Sequence, residues 1–159
     1  MNIGQRATNA GRCITTGPQP MSKAEKVYYD WLGELSRHGW DCSKADSVRF
    51  NSGSETAKHI HAKTATARVL RLNGYRVSSE CTHPERGEVD IVAIPKSDDQ
   101  KPFVCELETS PTQDVIDDKL SRYYDGTPFA ECWVINVSEL PLNILDMEQH
   151  IADELGMEV

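Results

Sequence analysis

The sequence predicts an α/β domain in which a mixed sheet is covered by helices on both faces. Segments of helical spacing and short apolar runs follow the order helix, helix, three strands, helix, strand, helix. Three consecutive strands predict an antiparallel meander, and the helical segment between Glu108 and Cys132 predicts a crossover to a parallel strand. With 159 residues, the chain has the length of one domain.

Capping residues and regularly spaced apolar side chains predict the helices. A Ser-x-x-Glu capping box opens each of the first two, which we expect over residues 22–39 and 52–74. A Ser cap with Pro at the first helical position opens the third, expected over residues 110–126. The last helix is expected over about residues 142–155.

The predicted strands are short runs rich in β-branched and other apolar residues. They cover about residues 75–81, 89–94, 103–108 and 132–137. Acids stand in the second and third runs, although an unpaired buried carboxylate is costly. Glu106 and Glu108 are two apart and share a face, and a hairpin brings Asp90 beside them. Such converging carboxylates are typical of a site for a hard divalent cation, Mg²⁺ or Mn²⁺.

Composition divides the chain into three parts and excludes several classes of protein. Residues 1–20 predict a flexible arm, residues 21–53 an N-terminal helix and connection, and residues 54–159 the α/β domain. A net charge of −8 argues against a protein that coats nucleic acid non-specifically. The sequence has no apolar run of about 18 residues and no apolar signal core, so we expect a cytoplasmic protein without a membrane span. Five cysteines without metal or redox spacing predict reduced thiols.

The order of the elements and the position of the acids resemble the PD-(D/E)XK nuclease superfamily. The likeness covers about residues 54–138 and is closest to RecB-type and archaeal-resolvase-like small nucleases of salt-loving archaea and their viruses. The run from Gly87 to Asp90 resembles the Gly-x-x-Asp motif of the RecB branch. The run from Lys119 to Tyr123 resembles its Gln-x-x-x-Tyr helix motif, with Lys in place of Gln. The resemblance implies a restriction-endonuclease-like αβββαβ core with an N-terminal helical arm and a C-terminal helix.

The same resemblance implies a metal-dependent deoxyribonuclease. Asp90 and Glu106 would hold Mg²⁺ or Mn²⁺, with Glu108 as a further ligand, and the metal would activate a water for attack on phosphorus. Glu108 stands where the superfamily has a lysine. We therefore expect Lys119 to supply the missing charge from the crossover helix, and Tyr123 to pack or orient groups near the site.

RecB-type members often add a His from the helix before the sheet. The candidates for an added ligand on this segment are Glu55, His59 and His61, and His61 is the predicted metal ligand. Glu55 has an alternative interpretation as a capping residue.

Basic residues in the middle of the chain predict a surface that meets DNA phosphates. The predicted contacts are Lys63, Arg68, Arg86, Arg122 and Tyr123. A solvated charged face is the alternative interpretation of this region.

The missing strand lysine and the long arm leave a second function open. In this alternative the domain is a catalytically degenerate nuclease-fold module for nucleic-acid binding or protein assembly, such as a viral head–tail connection. The arm would then support a homo-oligomer or a virion-type assembly, and the protein would be a virion component. A third interpretation is an unrelated α/β scaffold with Glu106 and Glu108 at a solvent edge.

Overall fold

A computed structural model of the protein describes residues 19–42, 47–50 and 55–159. The helices of this part are α1 (Lys23–Arg37), α2 (Ala57–Leu72), α3 (Gln113–Tyr123) and α4 (Ile144–Leu155). The strands are β1 (Tyr75–His83), β2 (Gly87–Pro95), β3 (Phe103–Glu108) and β4 (Cys132–Asn136), and a 3₁₀ turn at Val137–Glu139 follows the last strand. The prediction of an α/β protein with a mixed sheet is confirmed.

The four strands form one sheet in the order β1-β2-β3-β4. The pairs β1–β2 and β2–β3 are antiparallel, and the pair β3–β4 is parallel. Both the predicted meander and the predicted crossover are therefore present. Because β3 and β4 run in the same direction, their last residues, Glu108 and Asn136, are neighbours at the same end of the sheet.

Each face of the sheet has its own apolar core. One core lies between the sheet and the helices α2 and α4, and it includes Ala65, Leu70, Ile91, Cys105 and Met147. The other lies between the sheet, α1 and the end of α3, and it includes Tyr28, Leu35, Val92, Val104 and Tyr123. The sheet is thus covered on both sides, as the sequence predicts.

Strands β1 and β2 reverse their faces part-way along their length. Val77 packs in the α2–α4 core whereas Cys81 packs on the α1 side, and Ile91 and Val89 are divided in the same way. Residues of equal parity normally share a face. Glu80 lies at the reversal in β1 with a φ of 56°, and it is the residue of β1 left out of the pairing with β2. This left-handed conformation is strained for a residue with a Cβ.

Two helices begin later than predicted. Thr56 caps α2 and Thr112 caps α3, and each hydroxyl accepts the backbone N–H three residues ahead. Ser52, the predicted cap of α2, lies outside the described residues. Ser110, the predicted cap of α3, instead adopts a φ of 48° and hydrogen-bonds to the end of β4. Each start offers more than one hydroxyl, so the capping pattern alone does not choose between them.

The predicted arm lies outside the described residues except for positions 19 and 20, and the connection after α1 is described only in part. None of the helices in the described ranges has the length and apolar character needed to span a bilayer.

A pair of thiols faces each other beside β1. Asp41 and Thr82 form an antiparallel bridge in which each backbone N–H donates to the other residue's carbonyl, at 2.8 and 3.3 Å. Cys42 and Cys81 occupy the adjacent, directly opposed positions, where antiparallel chains approach most closely. The hydrogen bond to Cys81, together with burial, raises the pKa of the Cys42 thiol above its usual range.

We expect oxidation to link Cys42 to Cys81. A low-molecular-weight disulfide accepts the two electrons, the two thiols lose their protons, and the new bond stabilises the fold by about 3–4 kcal/mol. The raised pKa of Cys42 leaves little of its reactive thiolate at neutral pH. The reaction is therefore faster at pH 9 than at pH 7. Non-reducing peptide mapping with Cys42→Ser as the control checks this. Oxidation that pairs Cys81 with a different cysteine would contradict it.

Candidate active site

Strands β2 and β3 separate where Asp90 faces Glu106. Their backbone pairing ends at Ile91 and Cys105. At the next position, hydrogen bonds from the backbone to side-chain carboxylates replace the backbone-to-backbone hydrogen bonds. The Asp90 N–H donates to Glu106 Oε1 at 2.8 Å, and the Leu107 N–H donates to Asp90 Oδ2 at 2.8 Å. The two carboxylates therefore lie side by side at the opening between the strands, as the sequence predicts.

This carboxylate pair is poorly hydrated. Glu106 is 1% exposed, and Asp90 is half-buried. Burial and the neighbouring charge of Asp90 raise the pKa of Glu106 to about 7. Burial also raises the pKa of Asp90. Two adjacent carboxylates with little water around them favour either a proton or a cation.

Lys119 brings a positive charge to the same place. Its Nζ lies 2.8 Å from Glu106 Oε2 and 2.9 Å from Glu108 Oε1. Burial lowers the pKa of Lys119, but the two carboxylates outweigh it and raise the pKa above its usual range. The ammonium is therefore charged at neutral pH. The four side chains predicted as catalytic, those of Asp90, Glu106, Glu108 and Lys119, thus form one group.

Tyr123 supports this group from one helical turn beyond Lys119. Its ring is 1% exposed and its hydroxyl donates to the Glu88 carbonyl at 2.9 Å. A Cβ at Gly87, where φ is 97°, would lie 3.6 Å from that hydroxyl. Tyr123 therefore ties α3 to the start of β2, which agrees with its predicted packing role.

A fully buried lysine lies close enough to Asp90 for its charge to lower the pKa of that carboxyl. Lys63 is fully buried, and its Nζ donates to Glu55 Oε1 at 2.6 Å, Glu80 Oε1 at 2.6 Å and the Arg49 carbonyl at 2.9 Å. All three ammonium protons are thus used. Burial lowers the pKa of Lys63, but the ion pairs outweigh it and raise the pKa. The contact with Glu80 holds that residue in its left-handed conformation at the reversal of β1.

Glu80 also connects this lysine to a third acid. A hydrogen bond to Glu80, followed by burial, raises the pKa of Glu88 to about 7. The charges of His59 and Lys63 lower the pKa of Asp90, and the charge of Glu80 raises it. The Lys63 network therefore lies close enough to Asp90 to act on its charge.

His61, the predicted metal ligand, does not lie with the acids. His59 and Lys63 are four residues apart and share one face of α2. His59 Nε2 lies 3.7 Å from Glu55 Oε1, whereas His61 is exposed on the other side of the helix. His59 is the histidine of this helix that faces the acids.

Two of the five predicted DNA contacts are wrong because their side chains are buried. Lys63 and Tyr123 are buried, so a nucleic acid cannot reach them. Arg68 is exposed, but it pairs at 3.2 Å with Glu148 of α4, on the other face of the sheet from Lys119. Arg122 pairs with Asp118, and Arg86 donates to the Arg122 carbonyl at 3.0 Å, so these two arginines lie together at the end of α3.

The donor set at the opening fits a hard cation. No group of three or more His, Cys, Asp or Glu side chains in the described ranges is arranged to hold a metal ion. Mg²⁺ does not require such a cage, because it keeps several waters and binds through one or two carboxylates together with substrate phosphates. Asp90 and Glu106 supply two carboxylates of the required kind.

The chain matches no protein-family model, no curated protein and no solved structure.

Proposed function

We propose that the protein is a metal-dependent deoxyribonuclease with a restriction-endonuclease-like core. The observation that carries this proposal is the meeting of Asp90, Glu106 and Lys119 where β2 and β3 separate. The order of a helix, three strands, a helix and a strand supports it. The acids on the second and third strands also stand in the order that the superfamily uses.

Asp90 and Glu106 are the proposed ligands of Mg²⁺ or Mn²⁺. A divalent cation relieves the repulsion between two carboxylates that burial has deprived of water. All the side-chain donors are oxygens, which favours Mg²⁺ or Mn²⁺ over softer metals. When bound, the metal supplies a polarised phosphate oxygen and a water of lowered pKa.

Lys119 is the proposed partner of the negative charge on the reacting phosphate. In the superfamily a strand lysine has this task, and Glu108 occupies that position here. Because Lys119 Nζ reaches Glu106 within 2.8 Å, a lysine from α3 is able to act at the same place. Glu108, at 2.9 Å, keeps the ammonium charged and oriented.

DNA is the proposed substrate, and Arg122 is the proposed phosphate contact. Its side chain is 42% exposed, and it lies one helical turn from Lys119. Arg86 lies beside Arg122 at the end of α3 and donates a hydrogen bond to its carbonyl.

Cleavage of supercoiled plasmid and branched DNA with Mg²⁺ or Mn²⁺ tests this function. We expect the wild type to cleave, and Asp90→Ala and Lys119→Ala to lose cleavage, since one removes a proposed metal ligand and the other the ammonium that contacts Glu106. Lys26→Ala, at an exposed position of α1, is the matched control. Cleavage that survives Asp90→Ala would contradict the proposal.

One observation favours the alternative of a catalytically degenerate module. Glu108 forms an ion pair with Lys119, and this pair weakens the attraction of Lys119 for a phosphate. Such a module binds nucleic acid or assembles, for example in a viral head–tail connection, without cutting. Stable oligomers that depend on residues 1–20, with no cleavage of any DNA, would support it.

A further inference from the structure

A cavity of about 540 Å³ lies at the end of the sheet opposite to Asp90 and Glu106. The starts of β1, β3 and β4, the loop before β3 and the end of α4 surround it. This volume is within the range of pockets that bind small organic ligands. The proposed nuclease reaction does not use this cavity.

Three aromatic rings line the cavity. Tyr75 and Phe103 are nearly buried and meet edge to face, with 5.1 Å between the ring centroids. Trp133 is half-buried, and its indole Nε1–H donates to Glu131 Oε2 at 2.6 Å. A charge-assisted hydrogen bond of this length fixes the orientation of the indole. Tyr75 and Phe103 are buried in the core, so the half-buried Trp133 is the ring most open to the cavity.

The charges at the cavity are mainly negative. Asp99 and Glu131 line it, and among the described residues the one basic side chain in the lining is that of Lys101; all three are exposed. Burial, followed by the charges of Glu131 and Asp99, raises the pKa of the Tyr75 hydroxyl. The charges of these two carboxylates thus act on the floor of the cavity at Tyr75. A polyanion such as DNA is disfavoured at this end of the molecule.

We propose that this cavity binds an organic cation of the alkylammonium class, with its charge beside Glu131 and Asp99 and its carbon chain on the ring of Trp133. Carboxylates attract the ammonium, and aromatic faces bind both the cation and its methylene groups. The cation is either a free amine or the lysine side chain of a partner protein, since both have the same chemistry.

Titration of the full-length, ¹⁵N-labelled protein with n-butylammonium tests the site. We expect saturable shifts of the Trp133 indole N–H, assigned with Trp133→Phe, and no saturable shift with the neutral 1-butanol or the anionic butyrate. Asp99→Asn with Glu131→Gln weakens binding by about tenfold or more, because both counter-charges are lost. Asp98→Asn, at the neighbouring position outside the lining, leaves binding unchanged.

Two further titrations identify the source of the cation. Tighter binding of spermidine than of a lysine-containing peptide indicates a free amine, and the reverse indicates a partner protein. Equal binding of 1-butanol and n-butylammonium, or no change at Trp133 with any amine, would overturn the proposal. Neither result affects the nuclease proposal, because the two sites lie at opposite ends of the sheet.

Discussion

Asp90→Asn is expected to abolish metal-dependent cleavage and at the same time to stabilise the metal-free fold. Asn keeps an acceptor for the Leu107 N–H but removes one of two adjacent, poorly hydrated charges. Loss of residues that only orient a metal ligand costs about 10–100-fold in affinity or activity. Loss of a ligand itself should therefore lower the cleavage rate by about a hundredfold or more.

The gain in stability has a defined pH dependence. The pKa of Glu106 is raised to about 7 in the folded protein, so the native state binds more protons than the unfolded state between about pH 4 and pH 7. The stability that Glu106 contributes is therefore complete below about pH 4, falls as pH rises from about 4 to 7, and is lost above that. We expect Asp90→Asn to be more stable than the wild type by about 1–2 kcal/mol at pH 8 and equal to it at pH 4.

Urea unfolding at both pH values, with the cleavage assay, checks this pair of effects. Asp30→Asn, at an exposed position of α1, is the matched control and should change neither property. A variant that loses both stability and cleavage would show that Asp90 has a structural role instead.

Lys63→Met is expected to destabilise the protein by about 3 kcal/mol. The change leaves the carboxylates of Glu55 and Glu80 and the Arg49 carbonyl without their shared donor in a buried place. It also removes the contact that holds Glu80 in its left-handed conformation. Lys26→Met, at an exposed position, should stay within about 0.5 kcal/mol of the wild type.

Two second-site changes separate the causes of this loss. Glu55→Gln with Glu80→Gln removes the two carboxylate charges that Lys63 neutralises, and the triple variant should recover most of the stability lost by Lys63→Met. Glu80→Gly removes the steric strain, because glycine adopts positive φ readily. Denaturant unfolding measures both. A loss below about 1 kcal/mol for Lys63→Met would contradict the account of this network.

The pairing of Asp90 with Glu106 could be predicted from the sequence because it follows from strand periodicity and one hairpin. Lys119 could be predicted only through a motif resemblance, since its reach to β3 depends on how α3 packs. The Lys63 network could not be predicted because its partners, Glu55, Glu80 and Arg49, come from three separate parts of the chain.

The position of His59, rather than His61, beside the acids could not be predicted for a different reason. Helix α2 is rich in alanine, and small side chains give little contrast between its buried and exposed faces. In this helix the polar Lys63 is buried, whereas Thr64, the next residue, is exposed. An error of one residue in the predicted buried face turns that face by about 100° around the helix. Such an error favours His61 in place of His59.

The most direct test of the central claim is an anomalous-difference map from crystals of the protein soaked with Mn²⁺. The account predicts one strong peak between the side chains of Asp90 and Glu106, at about 2.0–2.3 Å from an oxygen of each, and no peak there in Asp90→Asn. Full Mn²⁺ occupancy at other acids with this opening empty, or no bound Mn²⁺ at saturating concentration, would contradict it.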